Sequence, residues 1–156
     1  MKILKTGALC VLTCLCYVHS GAQQQQPSFA SESAYNKPKI FTELPNKVPL
    51  NRPTLESLLS DEVGKKVAFT LGQGYQFQGI VVSKSDAADA NSKTVVVKAT
   101  NRQGVTLTFT RLTNEDGTYS YAGRMLSFKH GDAFEITEDK GVLVLVKKEL
   151  HDMFDE

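Results

Sequence analysis

KTVVVKATNRQGVTLTFTRL, residues 93–112, is two runs of β-branched residues joined by a turn. In the second run Val105, Leu107 and Phe109 alternate with Thr106, Thr108 and Thr110. A period of two places the apolar set on one face of a strand and the hydroxyls on the other, so one side is buried and one faces water. Between the runs, residues 101–104 (NRQG) carry an asparagine and a glycine able to take positive φ. The stretch therefore predicts an antiparallel hairpin with one apolar face, and that face needs more sheet to cover it.

The same punctuation recurs on either side. Runs at 67–71, 75–83, 118–128, 133–137 and 142–146 are separated by glycine-bearing turns at 72–74, 114–117, 130–132 and 138–141. Seven strands at short, regular spacing predict an all-β fold, an antiparallel meander curled into a small barrel or packed as a sandwich. Between Tyr119 and Phe128 the apolar parity changes, from Tyr119, Tyr121 and Met125 to Leu126 and Phe128, which predicts a bulge around Gly123. Residues 85–92 (SDAADANS) lack any large side chain and read as a loop tip rather than a site. One short helix is expected ahead of the strands. Thr54 would cap it, Leu55, Leu58, Leu59 and Val63 recur at helical spacing, and Gly64 would end it.

All five prolines, at 27, 38, 45, 49 and 53, precede Thr54. Proline lacks the amide hydrogen that ladders and helices use, so the split predicts an extended arm over 23–53 and a β-rich domain over 54–156. The arm begins with Gln23–Gln26 and is polar at first, then becomes apolar at Ile40, Phe41, Leu44, Val48 and Leu50. Two readings of that second half stay open: an edge strand laid against the domain, or a plain tether.

Residues 1–22 read as a cleavable signal peptide. Lys2 and Lys5 precede an uncharged apolar run at 7–18, and Ser20-Gly21-Ala22 sets small residues before a cut after Ala22. That run falls short of the roughly 20 residues needed to cross a bilayer. Secretion or a periplasmic location follows as the expectation, with a lipid-anchored form as a minor alternative and no transmembrane anchor. Cys10, Cys14 and Cys16 all lie in this leader, so residues 23–156 carry no thiol for disulfides, nucleophilic catalysis or thiolate metal ligation.

Composition narrows the class further. With 156 residues, 41% hydrophobic and 22% charged, the chain is neither collagenous nor wholly disordered. Loss of Lys2 and Lys5 from a formal net charge of +1 leaves the remainder slightly acidic, so total charge gives no case for nucleic acid or another polyanion.

Over residues 55–83 a helix runs into Glu62-Val63-Gly64-Lys65-Lys66-Val67, followed by Phe69-Thr70-Leu71, Gly74, Phe77 and Gly79-Ile80-Val81. This resembles the opening of an Sm-like, SH3-type barrel. The resemblance implies a local helix-to-hairpin geometry only. The second signature such proteins use for RNA does not follow downstream, so RNA binding is not implied.

For chemistry, His130, Asp132 and Glu135 put an imidazole and two carboxylates within one short segment, and His151 could join them if the C-terminus folds back. Such a set could hold zinc or calcium, or move protons. A polar β-turn at 130–132 explains the same residues without function, and Leu150, Met153 and Phe154 fit a final amphipathic turn. No Gly-x-Ser-x-Gly elbow or phosphate loop is present. No catalytic residue, cofactor or metal is therefore assigned.

Recognition by surface remains. Tyr75 and Phe77 beside the first hairpin turn, and Tyr119 and Tyr121 near Arg124, have the residue types of contact hot spots, although half-buried core aromatics would look the same. The expectation is a non-catalytic binding module whose partner is a protein or an envelope component. A protease inhibitor or pro-segment, and a metal-dependent hydrolase centred on His130, are the rival readings.

Overall fold

Alternation along each run is converted into two sheet faces by neighbour-to-neighbour pairing. A computed structural model of the chain describes residues 37–72, 74–85 and 91–153, without the side chain of His151. The expectations for 1–36, for the loop tip at 86–90 and for Phe154 lie outside the described residues.

The elements are β1 (Lys47–Pro49), α1 (Arg52–Ser60), β2 (Lys66–Leu71), β3 (Tyr75–Lys84), β4 (Ser92–Ala99), β5 (Val105–Thr113), β6 (Tyr119–Ser127), β7 (Asp132–Asp139), β8 (Val142–Lys148) and a terminal 3-10 turn (His151–Met153). All strands belong to one antiparallel sheet in the order β1-β8-β7-β6-β5-β4-β3-β2. The sheet curls into a half-barrel, so the barrel alternative holds over the sandwich. The helix-to-hairpin opening is present as α1, β2 and β3, and the sheet then runs on through five further strands.

The eighth strand is contributed by the arm. Lys47, Val48 and Pro49 pair with Val146, Leu145 and Val144, which resolves the open question in favour of an edge strand. Proline is tolerated there because β1 is an edge. The described part of the arm shares one core with the strands that follow it: Phe41, Leu44, Val48 and Leu50 are buried in the same cluster as Phe77, Phe109 and Phe134. Close approach makes glycine necessary at position 72. A Cβ on Gly72, whose φ is +57°, would stand 2.8 Å from Val48 Cγ1, so β1 lies directly against the β2–β3 turn.

Two ends of the half-barrel are plugged by different parts of the N-terminal half. At one end Phe41 packs edge-on against Phe134 at 5.6 Å and tilted against Tyr75 at 5.3 Å. At the other, α1 crosses from the end of β1 to the start of β2 and buries Leu55, Leu58 and Leu59. Between the plugs, Leu50, Leu55, Phe69, Leu71, Phe77 and their neighbours pack so closely that the crevice they line has no space for a water molecule.

Three local expectations change. Asn51, not Thr54, caps α1: its side chain accepts from the Thr54 amide, and Pro53 sits in the first turn, where its missing N–H costs nothing. Val63 and Gly64 lie beyond the helix, which ends at Ser60 with Asp61 as its C-cap. The bulge is not at Gly123, because β6 pairs with β5 without interruption from Tyr119 to Ser127. Leu126 is apolar on the outer face because Leu150 and Met153 of the C-terminal turn cover it, together with Ala133. The register shift falls instead in β3, between Val81 and Ser83.

Candidate functional site

With the interior filled, recognition falls to the outer face of the sheet and the rims. On the outer face of β5–β8 a groove of about 230 Å³ runs over Thr108, Thr110 and Ala122 and is bounded by Arg124, Lys148 and Met153. Strand register builds it. Thr110 lies opposite Ala122 and Thr108 opposite Arg124, so two small residues form the floor while the long arginine forms a wall. Across β6–β7 Arg124 is level with Glu135, and Glu135 is bridged to Lys148 at 3.1 Å. The Thr94 and Thr110 hydroxyls are 2.9 Å apart and extend the polar floor onto β4. Met153 is fixed as the end wall by packing on Leu126, Ala133 and Leu150.

At about 230 Å³ the groove is smaller than the roughly 300–1,000 Å³ typical of small-molecule pockets. It fits a side chain or a strip of a larger partner. The Arg124 guanidinium forms no hydrogen bond or ion pair among the described residues, so its fork is available to an incoming acceptor.

The residues singled out from sequence are dispersed. Phe77 is a core residue, 2% exposed and stacked on Phe69 at 4.9 Å. Tyr75 is half-buried, with its hydroxyl 2.5 Å from Arg102 Nε, and this bond holds the Arg102 guanidinium above its usual range. Tyr121 is 9% exposed, stacked on Phe109 at 5.8 Å, and its hydroxyl donates to the carboxylate of Glu56. Burial, then the Glu56 hydrogen bond and charge, push the Tyr121 phenol above its ordinary value. Tyr119 is 48% exposed and lies under Arg111, whose guanidinium carbon is 4.4 Å from the ring centroid. Both tyrosines point to the concave side of β6, whereas Arg124 points outward.

Aromatic–arginine pairing is therefore real, but through Arg52 on Tyr121, Arg102 on Tyr75 and Arg111 on Tyr119. Sequence reasoning missed these arginines because each pairing crosses strands or elements. No local spacing announces them.

The polar segment after β6 does not converge. His130 Nδ1 lies 3.0 Å from Ser127 Oγ within the β6–β7 turn. Both carboxylate oxygens of Asp132 accept backbone N–H groups, from Ile40 at 2.9 Å and Phe41 at 3.2 Å. Glu135 is on the opposite face of β7, bound to Lys148. The side chain of His151 lies outside the described residues. Among the described residues no group of three or more histidine, cysteine or acidic side chains is placed to hold a metal ion. Asp132 is thus occupied as a clamp on the arm. No helix among the described residues is long and apolar enough to cross a membrane. No protein-family model matches the chain, and neither a characterised protein nor a solved structure matches it.

Proposed function

We propose that the protein is an exported, non-catalytic β-domain that serves as an interaction module of the envelope or the extracellular medium, contacting a protein or envelope component through its outer sheet face. The leader at 1–22 supports the location. One observation carries the binding reading: the groove over Ala122 has Arg124 standing beside it, in register with Glu135 but in no ion pair or hydrogen bond among the described residues. Arginine in such a position is a frequent contact hot spot, because its fork matches carboxylates and peptide carbonyls.

The test is site-specific photo-crosslinking in the native envelope and extracellular fractions. A crosslinker at Ala122 should give a discrete adduct that disappears in Arg124→Glu, whereas the same group at Gln78, outward on β3, should give none. An Ala122 adduct that persists unchanged in Arg124→Glu, or appears equally from Gln78, would remove this face as the contact surface. Mass spectrometry of the recovered protein should find Gln23, as pyroglutamate, at its N-terminus.

A further inference from the structure

The β3 bulge brings three cations together on the concave rim beside α1. Up to Val81 the inward residues of β3 are Phe77, Gly79 and Val81, opposite the inward Val97 and Ala99. Regular alternation would turn Ser83 inward and Lys84 outward. The shift between Val81 and Ser83 reverses this: Ser83 pairs with the outward Val96, and Lys84 with the inward Val95. Bulges commonly re-aim a side chain in this way.

Lys84 thereby joins Lys93, diagonal to it on β4, and Lys93 lies directly opposite Arg111 on β5. Like charges in direct register are unfavourable in a sheet. None of the three makes an ion pair or side-chain hydrogen bond among the described residues, and the Arg111 Nε is shielded from solvent without an acceptor. The carboxylates of α1 and its C-cap are engaged by other groups: Glu56 accepts from the Tyr121 hydroxyl, and Asp61 is paired with Lys65 at 2.5 Å. Tyr119 stacks under Arg111 and holds its guanidinium at the rim.

We infer that Lys84, Lys93 and Arg111 form a binding site for a polyvalent oxyanion of the phosphate type. Three positive groups along one rim, with no acidic partner among the described residues, suit an external one, and two ammonium groups followed by a guanidinium favour a multiply charged, many-oxygen ligand over a single carboxylate. This site is on the other side of the sheet from the Ala122 groove and stands independently of it.

Sodium tripolyphosphate is the probe, titrated into the purified protein at low ionic strength and followed by amide and arginine Nε chemical shifts. Saturable shifts at Lys84, Lys93 and Arg111 are expected, with affinity reduced about tenfold or more in Lys93→Gln and in Arg111→Gln. Lys98→Gln, outward on the same strand, should bind as the parent does. Arg111→Lys keeps the charge and should retain most of the binding if Arg111→Gln proves unstable. Vesicles of phosphatidylglycerol form the second arm. Vesicle binding competed off by tripolyphosphate identifies lipid phosphate as the source, and tripolyphosphate binding alone identifies a soluble one. Absence of saturation by about 10 mM tripolyphosphate, an equal loss in Lys98→Gln, or vesicle binding indifferent to the rim variants would overturn the site.

Discussion

Asp132 holds Phe41 in place: its buried carboxylate accepts the backbone amides of Phe41 and the preceding Ile40, and so fixes the ring that plugs one end of the half-barrel. The same segment is tied from above by Lys147, whose ammonium donates to the Phe41 carbonyl at 3.1 Å. Asp132→Ala would leave two enclosed amides without acceptors. The expected cost is about 2–4 kcal/mol, read as a lower urea midpoint, with protease cleavage advancing into residues 37–45.

The described arm is needed for folding. A chain beginning at Lys37 should give the native circular dichroism spectrum and a cooperative melt, whereas one beginning at Thr54 should not. The shorter chain loses β1 and four buried side chains, Phe41, Leu44, Val48 and Leu50. At roughly 1.5–3 kcal/mol each, that loss rivals the whole stability of a typical domain. A cooperative transition in the Thr54 chain would contradict this.

Gly123→Ala should destabilise by about 1–3 kcal/mol, measured as a fall in the denaturant midpoint with unchanged slope. The new Cβ would lie 2.4 Å from the Thr108 carbonyl oxygen and 3.0 Å from Ile136 Cδ1. Backbone cannot yield as a side-chain tip does. The glycine is a packing requirement of β6 against β5, which is why it mimics a bulge signal in the sequence.

Alkaline pH should loosen the α1 plug. Because burial and Glu56 raise the Tyr121 phenol in the folded state, the folded protein keeps that proton longer than the unfolded chain does. The associated stability is complete below the ordinary tyrosine value of 10.0 and is lost as pH rises through the folded-state value. In Tyr121→Phe the decline of melting temperature above pH 10.0 should be shallower than in the parent.

Lys93→Glu should stabilise the unliganded protein by about 0.2–1 kcal/mol, since it replaces a cross-strand repulsion opposite Arg111 by an attraction. The gain should shrink as salt is added. A stability change of the opposite sign would show that the two side chains do not face each other.

Much of the architecture is legible in the sequence because period-two alternation and glycine-bearing turns are local. Val105, Leu107 and Phe109 announce their own buried face, and the turn at 101–104 announces the hairpin. Pairings distant in sequence are silent. Nothing near Val48 names Leu145 as its partner, and proline at 49 reads as an interruption until its edge position is known. Nor does overall charge balance disclose that one bulge groups Lys84 with Lys93 and Arg111 on one face of the sheet. The candidate tyrosines were visible as residue types, but burial and face separate Phe77 and Tyr121 from Arg124.

Joining β1 to β8 has a consequence for biogenesis. The earliest strand to be synthesised finds its hydrogen-bonding mate only when the latest has emerged, so the sheet cannot be completed on a partial chain. Such late closure, with its large loop entropy, slows acquisition of the native state. The export proposed above would benefit from that delay, because a chain threaded through a narrow translocation channel has to stay pliable until passage is over.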